Sequence, residues 1–174
     1  MTLQTVSVSA EEAAAHGLPP VAVRLDATNC GMFLVPGSPG CYVHLQGPPG
    51  APLSFVVRPG DRRGDDAVPL EEQVRRRESS STDLEIGPAG TVKVRGVERP
   101  ALLYFAGHSS ASRACCVARL EIGPVDLVLE LTVSSAFRNV PGCAAVAATP
   151  VFRRILESFE AAWEPPPPSR PRKR

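Results

Sequence analysis

The chain has 174 residues, enough for one domain that buries most of its apolar surface and too few for two generous ones. Hydrophobic residues make up 43% and charged residues 21%, an ordinary globular balance, while 19 Pro and 14 Gly favour short strands and turns over helix. The net charge is +1, but Arg170, Arg172, Lys173 and Arg174 lie in the last five residues, so the remainder carries −3. That argues against a basic platform for nucleic acid.

Residues 1–20 read as a segment ahead of the domain. No Lys or Arg precedes an apolar run there, so no secretory signal is expected. No stretch approaches the ~18 apolar residues of a membrane span, and the expected location is the cytoplasm.

From residue 21 onward, Val21, Val23 and Leu25 alternate with Ala22, Arg24 and Asp26, and an apolar run follows from Met32 to Val35. Both read as strands. Tyr42, Val43 and Leu45, then Leu53, Phe55 and Val57, add two more around the turn sequence GPPG. Residues 60–69 carry charge without periodicity and read as an exposed loop.

In PLEEQVRRRESSS, Pro69 suits a first helical turn, with Glu71 and Glu72 near the positive end and Arg75, Arg76 and Arg77 near the negative end. A short helix is predicted, with only Leu70 and Val74 reaching inward. Strands are predicted at 84–86, 91–94 and 100–107. After a Ser-rich turn come RACCVARLEIG and PVDLVLELTVSS, in which Val125, Leu127, Leu129, Leu131 and Val133 hold one face.

Thr149 and Pro150 open an amphipathic helix predicted to run through Trp163. Val151, Phe152, Ile155, Leu156, Phe159 and Trp163 would lie on the sheet as a lid. Past Glu164 four prolines and the basic end read as a disordered tail over 165–174, leaving one domain over 21–164.

Most chemistries lack their signatures. G-x-S-x-G is absent, and His16, His44 and His108 belong to no ligand-spaced cluster. Neither phosphate-cradling glycine motif occurs. Asp65 with Asp66, and Glu71 with Glu72, sit where adjacent carboxylates face solvent. Five cysteines without regular spacing form no disulfide framework and read as reduced, buried hydrophobes. No catalytic residue, metal or cofactor is expected.

VKVRGVERPALLYFAG at 92–107 and the F-x-x-I-L-x-S-F pattern of Phe152, Ile155, Leu156, Ser158 and Phe159 resemble the Mog1/PsbP-like proteins, which include DcrB-type bacterial proteins. VDLVLELTVSS stands where that family has its long central strand, and PLEEQVRRRES where it has its first helix. The resemblance implies an α+β fold, an antiparallel sheet with helices packed on its faces. It also implies a mostly non-catalytic role in binding other proteins.

The favoured expectation is a cytoplasmic adaptor or chaperone that binds another protein through Asp61, Arg62, Arg63, Asp65 and Asp66 with Arg75, Arg76 and Arg77. A second places function in the tail: Pro168, Arg170, Pro171, Arg172 and Lys173, with Arg174, suit a polyproline-reading domain or a weak contact with anionic surfaces. A third is an enzyme or small-ligand binder with a pocket between sheet and helix.

Overall fold

The computed structural model describes residues 4–34, 40–108, 111–134 and 140–165. The elements in chain order are β1 (Thr5–Val8), α1 (Ala10–Ala15), β2 (Val21–Asp26), β3 (Gly31–Leu34), β4 (Val43–Gln46), β5 (Leu53–Pro59), β6 (Arg62–Arg63), β7 (Asp66–Ala67), α2 (Leu70–Arg77), β8 (Asp83–Val94), β9 (Val97–His108), β10 (Ala111–Ile122), β11 (Val125–Ser134), α3 (Cys143–Ala147), α4 (Pro150–Ser158) and β12 (Glu160–Trp163). The fold is α+β, an antiparallel sheet with helices on its faces.

Seven strands make the main sheet, in the order β3-β4-β5-β11-β10-β9-β8. A second sheet has the order β1-β2-β12, and β6 pairs with β7 alone. Alternation along β11 sorts the main sheet into two faces. Leu127, Leu129, Leu131 and Val133 join Leu103, Cys116, Leu120 and Phe55 in the larger core, under the small sheet, α1, α3 and α4. Val128 on the other face joins Leu102, Tyr104, Cys115 and Val117 beneath Val74 of α2.

Residues 4–20 contribute to this core instead of preceding it. Val6 and Val8 are buried, β1 pairs with β2 from Thr5↔Asp26 to Val8↔Val23, and the Tyr42 hydroxyl donates to the Pro19 carbonyl at 2.9 Å. Ser9 and Glu12 form a reciprocal capping box that starts α1. The sequence signal was present in S-A-E-E.

The closing segment departs from the predicted single helix. α4 stops at Ser158, Phe159 turns to extended backbone (φ −63°, ψ 125°), and Glu160–Trp163 pairs with β2. Phe159 falls on the apolar side under either period, so side-chain spacing alone does not separate the two. Pairing with β2 overrides the helical preference of Glu-Ala-Ala. Trp163 is consequently 36% exposed rather than part of the lid, whereas Phe159 is 2% exposed.

The strands predicted at 84–86 and 91–94 are one strand whose register shifts between Ile86 and Ala89. Gly87 sits at that shift, where a Cβ would lie 3.1 Å from the Leu103 carbonyl oxygen. No helix among the described residues is long and apolar enough to cross a membrane.

Candidate functional site

Arg95 and Gly96, with φ of 50° and 77°, make the two-residue turn between β8 and β9. Glycine adopts such angles freely, and an arginine there is strained. Two contacts hold it: the Arg95 amide donates to the Leu156 carbonyl at 3.0 Å, and its guanidinium reaches Glu160 at 2.9 Å. The hairpin tip is thereby fastened to the end of α4 and the start of β12.

Between this hairpin, β10 and the small sheet lies a groove of about 840 Å³. Its apolar walls include Val94, Val97, Leu120, Ile122 and Phe159. Val97 is 51% exposed, one of two exposed large hydrophobic side chains among the described residues, with Trp163. Phe159 to Ala162 line the groove as an unbroken run, and among the described residues no strand pairs with the outer side of β12.

Two guanidinium groups face this groove without a partner among the described residues. Arg24 stands opposite Glu160 in the β2–β12 register, but Glu160 is taken by Arg95. Arg99 has its Nε buried with no hydrogen-bond acceptor. A buried donor left unmade costs about 1–3 kcal/mol, which an anionic occupant would recover.

The charged face expected to meet a partner is largely paired with itself. Arg62 donates from Nη1 to Asp126 at 3.0 Å and from Nη2 to the Asp65 carbonyl, and Arg63 pairs with Glu72. Along α2, Arg75 reaches Glu71 at 2.8 Å, Arg76 reaches Glu72 at 2.6 Å, and Arg77 reaches the buried Glu130 at 3.1 Å. The Asp61 amide donates to the Gln73 side chain at 3.1 Å. Asp65 and Asp66 are exposed beside Asp126, apart from the groove. Pro168, Arg170, Pro171, Arg172, Lys173 and Arg174 lie outside the described residues.

Under α2 the main sheet carries a polar layer that amphipathic reading did not reveal. Arg58 meets Glu130 at 2.6 Å, while Glu78 accepts from Tyr104 at 3.1 Å and from Arg113 at 2.5 Å. The Cys115 thiol accepts from Thr132 at 3.4 Å, and burial foremost, then the Glu130 charge, pushes it up to about 12. It is therefore almost wholly protonated at neutral pH, the opposite of an activated nucleophile. Burial likewise pushes the Tyr104 hydroxyl far up. Among the described residues no group of three His, Cys, Asp or Glu side chains is placed to hold a metal ion.

Sequence reading missed Arg24, Val97 and Arg99 as a group, because Arg24 of β2 meets Val97 and Arg99 of β9 only through the fold. The one local signal was Val97, an apolar residue between the charged ends of R-G-V-E-R.

No family model matches the chain, and no curated protein does. Among solved structures it is similar to Mycobacterium tuberculosis LpqN, described as involved in cell envelope biogenesis, at 12% identity and a TM-score of 0.48, over 93% of this chain and 92% of that one. It is also similar to PA94, a Pseudomonas aeruginosa protein of unknown function, at 16% identity and a TM-score of 0.38, over 78% and 85%. The likeness concerns the course of the chain alone. No activity, ligand or location passes from either protein to this one.

Proposed function

We propose that the chain is a non-catalytic binding module that takes an extended, apolar segment of another protein, bearing a carboxylate, into the groove between the β8–β9 hairpin and the small sheet. The observation that carries this reading is the buried, unpartnered Nε of Arg99 in a groove whose walls also hold Val94, Val97, Leu120 and Ile122. The partner's carboxylate meets Arg99 and Arg24, and its apolar side chains cover Val97 and Ile122. An extended segment suits the site because β12 offers an unpaired edge along the groove. The resemblance to Mog1/PsbP-like proteins agrees with protein binding as a class. Of the α2 charges, Arg77 then fastens that helix to Glu130 of the sheet and Glu72 fastens it to Arg63 of the β6–β7 hairpin, while Arg75 and Arg76 pair within the helix.

Selection of displayed peptides on the full chain, counter-selected with Arg99→Gln and with Val97→Asp, tests the reading. Enriched sequences are expected to place Asp or Glu beside aliphatic residues and to lose roughly tenfold in affinity on either variant. No enrichment, or enrichment indifferent to both substitutions, would overturn it. Saturable binding of oleate with no peptide selected would replace the protein segment by a lipid.

A further inference from the structure

On the opposite face of β10, where the β6–β7 loop meets the β10–β11 turn, lies a second pocket of about 510 Å³. Its chemistry is the reverse of the groove's. Asp65, Asp66, Glu121 and Asp126 line it against Arg62 and Arg119, four carboxylates to two guanidinium groups. Arg119 is engaged with Glu121 at 3.4 Å and Arg62 with Asp126 Oδ2 at 3.0 Å. Asp65 and Asp66 have no cationic partner among the described residues.

The decisive atom is at the floor. Asp126 is 1% exposed, and its Oδ1 is buried without any hydrogen-bond partner among the described residues. A buried carboxylate oxygen without a donor is costly, and the surrounding excess of negative charge raises that cost. An anion is repelled here, and the carboxylates are not grouped to hold a metal ion. What fits is a monovalent organic cation with several N–H donors: one for Oδ1, others for Asp65 and Asp66 at the rim.

We propose that this pocket is a binding site for a single guanidinium or alkylammonium side chain, with Asp126 Oδ1 as the inner acceptor. It stands on residues separate from the groove and does not depend on the groove's occupant. The cation has two sources. One is a basic segment of a partner; the other is this chain's own Arg170, Arg172, Lys173 and Arg174. Trp163 packs against Gly123, a residue of the pocket wall: a Cβ on Gly123 would lie 3.3 Å from that of Trp163. β12 therefore ends, at Trp163, against the wall of this pocket.

The test is titration of the free peptide PSRPRKR, with residues 168–174 as its sequence, into the isotopically labelled full chain at low salt, following the amides of Gly123 and Asp126. It is run on the unmodified chain and on a chain with Arg170, Arg172, Lys173 and Arg174 all replaced by Gln. The Gln-tailed chain is expected to bind saturably. Asp126→Asn in that chain should weaken binding by roughly tenfold or more, as should about 0.5 M salt. Tighter binding by the Gln-tailed chain than by the unmodified chain assigns the pocket to the chain's own tail; equal binding assigns it to a partner. No saturable shift in the Gln-tailed chain, or an unchanged affinity in Asp126→Asn, overturns the site. Should Asp126→Asn not fold, the exposed pair Asp65→Asn with Asp66→Asn replaces it, and an unchanged affinity there overturns the site equally.

Discussion

The Ser158 hydroxyl accepts the Asp26 amide proton at 2.8 Å and donates its own to the Ile155 carbonyl at 3.0 Å, joining residues 132 positions apart. This single oxygen ends α4 and holds the end of β2 against it. Replacing Ser158 with Ala leaves a part-buried amide without its acceptor, and a loss of about 1–2 kcal/mol is expected. Urea unfolding followed by circular dichroism measures it; an unchanged midpoint would show that water takes over the bond.

Phe159 and Trp163 separate the lid from the strand that follows. Phe159→Ala should cost about 3–5 kcal/mol, because the ring is fully buried in the larger core. Trp163→Ala should cost less than half as much. Comparable losses at both positions, measured as denaturant midpoints, would restore the continuous helix.

Glu130 lies 5% exposed between Arg58 and Arg77, whereas Glu71 pairs with Arg75 in the open. Removing Glu130 strands a buried cation, so Glu130→Ala should lose about 3–5 kcal/mol. Glu71→Ala breaks an exposed pair of neighbours on one helix and should lose no more than about 0.5 kcal/mol. Thermal unfolding of the two variants side by side decides whether burial or pairing sets the scale.

Asp26 supplies the pH dependence. Its carboxyl is held below its ordinary 3.8, chiefly by the Thr28 side-chain hydrogen bond, with the Thr28 amide and the Arg154 charge adding to it. A folded-state value below the unfolded one means that the stabilisation is complete above the unfolded value and disappears as pH falls through the folded one. Stability should therefore decline from about pH 4 downward, and Asp26→Asn should flatten that slope. An identical slope in the variant would remove Asp26 from the account.

The thiols offer a further check. Cys41, Cys115, Cys116 and Cys143 are buried and Cys30 only partly so. An aromatic disulfide reagent at mildly alkaline pH should titrate Cys30 in the folded protein and the other four only after unfolding. Fast reaction of Cys115 in the native state would contradict its burial.

The main sheet was largely readable in the sequence because alternation of apolar residues is a local property. Leu127, Leu129, Leu131 and Val133 announce a buried strand face without reference to any other segment. The polar layer was not readable, since Asp126 and Glu130 fall on that strand's opposite face, where a carboxylate ordinarily signals solvent. Only α2, through Arg77 over Glu130, and the β6–β7 hairpin, through Arg62 over Asp126, turn that face inward. The groove was hidden for a related reason: Arg24, Val97 and Arg99 each have an ordinary solvated reading until β2 and β9 are brought together. At the closing helix the local signal itself was ambiguous, because Phe159 is apolar under both periods.

The small sheet has a consequence for biosynthesis. Val21 pairs with Trp163, so one of the first strands synthesised waits for one of the last. While a nascent chain is being extended, β1 and β2 can form a ribbon and the main sheet can collapse, but the wall that β12 gives the groove is missing. The groove is thus incomplete until residue 163 has been made and folded, and a chain cut short before it would lack one wall of the proposed binding surface.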